Sequence, residues 1–98
     1  MSVEWLEKPV NDLQSIYDYI YTKSPHNAEM VVQTLTQLGD SLADMPFKYP
    51  KEPIFNQENI RFVVKWSYKI IYRIEKDTIL VSRIFHTKQH PDKIIAAE

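Results

Sequence analysis

The stretch Asn59-Ile-Arg-Phe-Val-Val-Lys-Trp66-Ser-Tyr68-Lys-Ile-Ile-Tyr-Arg-Ile-Glu75-Lys-Asp77-Thr-Ile-Leu-Val-Ser-Arg-Ile-Phe-His86 decides the fold. It holds three short runs rich in Val, Ile, Phe, Tyr and Trp, broken only at Trp66-Ser67 and at Glu75-Lys76-Asp77. Such residues suit a pleated, half-buried surface, and breaks this short join neighbouring antiparallel strands. The reading is a three-strand meander over roughly 60–66, 68–75 and 78–86. Alternation then sorts the side chains by face. Phe62, Val64 and Trp66 oppose Arg61, Val63 and Lys65. Tyr68, Ile70, Tyr72 and Ile74 oppose Lys69, Ile71, Arg73 and Glu75. Leu80, Ser82, Ile84 and His86 oppose Ile79, Val81, Arg83 and Phe85. If no bulge intervenes, one face is mostly apolar and the other gathers Arg61, Lys65, Lys69, Arg73 and Arg83.

Upstream of the meander, Val3 and Trp5 alternate weakly and predict an edge strand. Lys8-Pro9 opens a helix, because a first turn tolerates the missing proline N–H. Leu13, Ile16, Tyr17 and Ile20 give it one apolar stripe, and Asp12 near its start suits the helix dipole. Ser24-Pro25 ends this helix and begins a second, with serine as N-cap and proline in the first turn. Ala28, Val31, Leu35, Leu38, Leu42 and Met45 recur in steps of three and four along it, a stripe that fits core packing or a dimerising helix. Gly39, the only glycine, costs helix propensity; a close approach to a neighbouring helix would explain it, and so would nothing in particular. Met45-Pro46 stops the second helix. Pro46, Pro50 and Pro53 then mark an extended loop pinned by Phe47, Tyr49 and Phe55. After the strands, 87–91 reads as a turn and 92–98 as a frayed tail. The fold class is α+β: an N-terminal edge strand and a helical hairpin packed on one face of a twisted antiparallel sheet, in the order β-α-α-β-β-β.

The 98 residues make one domain, 44% apolar and 26% charged. No cysteine is present, so disulfides and thiolate metal sites are excluded. The start lacks the basic region and apolar core of a signal peptide, so a cytoplasmic location is expected. The net charge of −1 hides a division: residues 1–60 hold four basic and nine acidic side chains, residues 61–98 eight basic and four acidic. Such a split fits an acidic or polyanionic partner for the basic half, and fits a solvated strand face equally well. There is no Gly-rich phosphate loop, no HExxH and no carboxylate pair in an acid–base context. His86 and His90 stand four apart, but Pro91 and the strand before them argue against a helical metal site, and no metal or cofactor is expected. The remaining chemistry is the basic set with His86 at its margin, suited to binding an acidic protein or to metal-free cleavage of a phosphodiester with His86 as acid or base.

These segments together resemble the RelE/ParE superfamily, the toxins of type II toxin–antitoxin modules. The resemblance rests on Asn11-Asp12-Leu13 with Ile16-Tyr17-Asp18-Tyr19-Ile20, on the helix end over 42–46 with its proline-containing loop, and on Arg61, Tyr68-Lys69-Ile70-Ile71-Tyr72-Arg73-Ile74 and Ile79-Leu80-Val81-Ser82-Arg83-Ile84-Phe85-His86. It covers nearly the whole chain. It implies a growth-arresting, plasmid-stabilising toxin neutralised by a cognate antitoxin, as homodimer or toxin–antitoxin hetero-oligomer, with no membrane association. RelE-like members cut mRNA on the ribosome with basic residues and a late Tyr or His; ParE-like members poison DNA gyrase. The ending Arg83-Ile84-Phe85-His86 with Lys88 resembles the ParE-like branch, and no tyrosine follows Tyr72. The near-neutral charge also departs from the strongly basic RelE-like nucleases. Arg61, Lys65, Lys69, Arg73, Arg83 and Lys88 are the expected target- or phosphate-binding residues, and His86 the expected catalyst if the protein is a ribonuclease. A toxin-like protein without activity is the third alternative.

Overall fold

The computed structural model describes residues 1–88. Its elements are β1 (Ser2–Trp5), α1 (Glu7–Tyr21), α2 (Pro25–Asp40), a 3-10 turn (Ser41–Ala43), β2 (Ile60–Lys65), β3 (Tyr68–Ile74) and β4 (Thr78–His86). The order β-α-α-β-β-β and the α+β class are as the sequence predicts. The sheet runs β1-β4-β3-β2. The meander is antiparallel, but β1 lies parallel to β4, so the sheet is mixed rather than wholly antiparallel. A parallel pair needs a long crossover rather than a tight turn, and the chain between Trp5 and Thr78 supplies it.

Local chemistry starts α2, whereas α1 begins at Glu7 after Leu6 with no side-chain cap. Ser24 Oγ accepts the Asn27 N–H at 3.2 Å, and Pro25 occupies the first turn of α2. Leu13 and Ile16 of α1 and Val31, Leu35 and Leu38 of α2 then pack on Val63, Ile70, Tyr72, Ile74, Ile79, Val81 and Ile84. Burying this apolar set stabilises the fold by ~2 kcal/mol for each fully enclosed side chain, before the entropy of ordering is counted. Met45 is exposed instead of extending the α2 stripe, because α2 ends at Asp40 and the tighter 3-10 turn shifts the phase. Gly39 does answer a close approach, though not from a helix: a Cβ there would collide with the Trp5 ring of β1. The Trp5 indole N–H donates to Asp40 Oδ1 at 2.8 Å and fixes the ring over that gap.

A second, smaller core of Ile60, Ile71 and Phe85 lies on the other face, covered by Phe55 of the proline-containing loop. Within this loop, Lys51 bridges Arg61 along the outer edge of β2, so the loop partly shields that edge. The sheet thus carries helices on one face and the loop on part of the other. Of the turn expected over 87–91, Thr87 and Lys88 do form a turn; the rest of it, with His90, and the tail expected over 92–98 lie outside the described residues. No helix among the described residues is long and apolar enough to cross a membrane.

Candidate functional site

The expected continuous cationic face is not what the chain builds. The two-residue link Trp66-Ser67 pairs Lys65 with Tyr68 and Arg61 with Tyr72, which places Arg61, Val63 and Lys65 on the face of the core tyrosines. The same register pairs Val64 with Lys69, so Lys69 and Arg73 project from the opposite face. A bulge compounds the change. Ile71 pairs with Arg83 and Tyr72 with Val81, leaving Ser82 unpaired. Ile79 and Val81 therefore share a face with Ile84 and His86, and the simple alternation assigned to β4 breaks at Ser82.

Carboxylates hold most of the six cations. Arg61 is buried; its Nη2 lies 2.6 Å from Glu58 Oε1, and it also donates to the Glu58 and Tyr49 carbonyls at 2.9 Å. Lys69 Nζ lies 2.5 Å from the buried Glu52 carboxylate, whose other oxygen accepts the Ile54 N–H. Arg73 pairs with Glu75 at 3.2 Å. Arg83 grips Asp12 through Nε at 2.8 Å and Nη2 at 3.0 Å, while Asp12 Oδ2 also accepts the Ile84 N–H at 2.9 Å. β1 pairs with β4 only as far as Val81, and the Asp12 carboxylate takes over the open edge beyond it. Lys65 and Lys88 stand apart: neither forms an ion pair among the described residues. The Lys65 ammonium rests over the Trp66 ring at 5.0 Å.

A concavity of about 580 Å³ opens between α1 and the ends of β3 and β4. Asp12, Ser15, Ile16 and Tyr19 reach it from one side of α1; Tyr68, Arg83 and His86 reach it from the sheet. Positions 12, 15, 16 and 19 follow helical spacing, so a single face of α1 builds that wall. Tyr68 stands edge-on to His86, their rings 5.5 Å apart. Burial pushes the Tyr68 phenol pKa above its usual value, and the neighbouring Tyr19 adds to the rise, so Tyr68 stays neutral and can donate. His86 Nδ1 accepts the Lys88 N–H at 3.1 Å. The pocket thus collects a phenol, an imidazole and a neutralised Asp–Arg pair, a set able to bind a polar or weakly anionic group. Of the expected site residues it includes only Arg83 and His86. Asp12, Tyr19 and Tyr68 were not foreseen as its walls, although the two-residue turn already sets Tyr68 near the end of β4.

A helix hairpin on a four-stranded mixed sheet, with a loop across the back and a pocket at the α1–β4 seam, defines a small α+β domain. In structure it is similar to a chain described as "Chromosomal ParDE TA system from P. aeruginosa", with a TM-score of 0.74 and 24% identity over 90% of this chain and 97% of the other. At that identity the likeness speaks for the fold. Residues 3–91 match the family model described as ParE toxin of type II toxin-antitoxin system, parDE, and the chain belongs to this family. A comparison with curated proteins gives no match. The protein is a toxin of the type II toxin–antitoxin class, for which the family implies a cognate antitoxin partner.

Proposed function

We propose that this toxin arrests growth by engaging DNA gyrase in the cytoplasm, and that its antitoxin neutralises it by covering part of the engaging surface. Membership of the ParE family over residues 3–91 carries the reading. The site supports it. Arg61, Lys69, Arg73 and Arg83 are held by internal carboxylates, which leaves Lys65 and Lys88 as the target-facing members of the expected basic set. A nuclease that neutralises a scissile phosphodiester needs several converging cations, whereas a binding toxin needs shape and a few charges.

One feature favours the second reading, a ribosome-dependent mRNA endonuclease: Tyr68, Arg83 and His86 line a single pocket. The test induces the gene with and without its neighbouring reading frame and follows plasmid supercoiling and transcript integrity together. The expected result is altered supercoiling with intact transcripts, relieved by the neighbouring frame, and a His86→Gln variant that remains toxic. Cleaved transcripts with unchanged supercoiling, abolished by the same folded variant, would establish the nuclease instead. Growth unaffected by induction would leave an inactive relative of the family.

A further inference from the structure

The hairpin tip joining β2 to β3 has features the fold does not require. Val64, Lys65 and Trp66 are consecutive and exposed, with Val64 47% and Trp66 50% accessible. Trp66 has φ of 62°, in the left-handed region where a Cβ is disfavoured and a bulky aromatic is rare. The Ser67 N–H donates to the Lys65 carbonyl at 2.9 Å across it, closing a tight three-residue turn that is strained for any residue with a side chain. Glycine would make this link without that conflict. The turn is nonetheless held firmly, because the Thr87 N–H donates to the Ser67 carbonyl at 2.8 Å and ties the end of β4 to the tip. That tie also brings Lys88 to the end of the molecule where Lys65 sits over the indole. Lys65 and Lys88, the two members of the expected basic set without an ion pair among the described residues, thus lie at the same end of the sheet as an exposed tryptophan, Lys65 directly over its ring.

We infer that this tip, with Trp66 as anchor and Lys65 and Lys88 as its charged rim, is the surface that docks on the toxin's protein target, entering an apolar pocket bordered by carboxylates. The inference rests on the proposed target reading for the identity of that protein, though not for the chemistry of the tip. Tryptophan is the residue type that most often dominates a small interface, and a preformed turn loses little freedom on binding. A protein is favoured over a nucleic acid because two lysines on a chain of net charge −1 neutralise few phosphates. Backbone strain at an exposed aromatic fits a position kept for contact with a partner.

The test uses full-length Trp66→Gly, Trp66→Phe and Lys65→Glu, alone and with the antitoxin. Trp66→Gly relieves the left-handed strain, so it keeps or raises the melting temperature and its phenotype cannot be assigned to misfolding. The expected result is a roughly 30-fold loss of affinity for purified gyrase in Trp66→Gly, a loss of growth arrest, partial retention in Trp66→Phe and unchanged antitoxin binding. Full toxicity of Trp66→Gly overturns the inference, as does an equal loss of antitoxin binding. If the wild-type protein binds a single-stranded oligonucleotide and Trp66→Gly loses that binding alone, the tip serves nucleic acid and the inference also fails. If wild-type toxin does not bind gyrase but the tip variants still lose growth arrest and keep the antitoxin, the gyrase reading falls while the docking tip stands.

Discussion

Tyr72 joins three parts of the molecule through one hydroxyl. It is fully buried on the helix face of β3, and its OH donates to the Pro46 carbonyl at 2.6 Å, anchoring the start of the proline-containing loop. Burial pushes its pKa up to about 12; the nearby Arg61 acts in the opposite direction, and Tyr49 adds to the rise. The consequence for stability has a definite sign. The unfolded phenol titrates near its ordinary value of about 10, so between pH 10 and 12 the unfolded chain releases a proton that the folded chain keeps. This contribution, on the order of 2 kcal/mol, is fully present below pH 10 and disappears as pH rises through the folded value. Tyr72→Phe should cost about 1 kcal/mol near neutrality, because the Pro46 carbonyl loses its donor. It should also flatten the alkaline decline relative to wild type. Urea midpoints measured from pH 8 to 12 check both, and parallel curves for the two proteins would remove Tyr72 as the source. The sequence marks Tyr72 as a core residue by alternation alone, but its carbonyl partner lies 26 residues away, at a distance no local pattern encodes.

Among the elements, the proline-containing loop departs furthest from a sequence reading. Proline spacing and aromatic content predict an extended loop pinned by Phe47, Tyr49 and Phe55; Tyr49 and Phe55 do pack against the two cores, but Phe47 is exposed and the segment runs through turns, with the Lys48 N–H donating to the Met45 carbonyl and the Asn56 N–H to the Glu52 carbonyl. What the pattern conceals is that Glu52 goes inside. Its carboxylate is 1% exposed and meets Lys69 Nζ, whose ammonium also lies 4.3 Å from the Phe62 ring centroid. A lone glutamate between Lys51 and Pro53 reads as surface, because burial of a charge depends on a partner 17 positions away in β3. The pair fixes how the loop lies on the back of the sheet, and hence how Ile60, Ile71 and Phe85 are covered. Lys69→Met retains the aliphatic stem but strands the buried carboxylate, and should destabilise the protein by about 3 kcal/mol. Glu52→Gln combined with Lys69→Met should recover most of that, since no uncompensated charge remains. Chemical denaturation of the two singles and the double checks this; additive losses would show that the pair is not coupled. Loss of toxicity in Lys69→Met would then reflect a weakened scaffold rather than a missing target contact. The phase of β4 is hidden for a similar reason: the bulge at Ser82 leaves no mark on the run Ile79-Leu80-Val81-Ser82-Arg83-Ile84, where either alternation looks apolar.

For the molecule as a whole, the uneven charge of the chain finds its explanation inside the fold. The acidic first part supplies Asp12, Glu52 and Glu58; the basic last part supplies Arg83, Lys69 and Arg61, and each carboxylate meets its cation. The order of elements and the helix starts were legible because capping, proline placement and period are local signals. The distribution of charge over the surface was not, because the hairpin register decides it, and two residues of turn send Lys65 and Lys69 to opposite faces. This arrangement has a measurable consequence that separates a binding toxin from a nuclease. If all six cations of the expected set neutralised phosphates on single-stranded RNA, the logarithm of affinity would fall with that of salt with a slope near −4. With only Lys65 and Lys88 available the slope would be about −1.4. Fluorescence anisotropy of a labelled RNA oligonucleotide, titrated with the toxin from roughly 50 to 300 mM salt, resolves the two. Weak binding with the shallow slope is expected, and Lys65→Glu should flatten it further while Arg73→Gln leaves it unchanged. A slope near −4 would mean that the arginines leave their carboxylates to meet RNA, and charge pairing within the fold would no longer argue against the ribosomal reading.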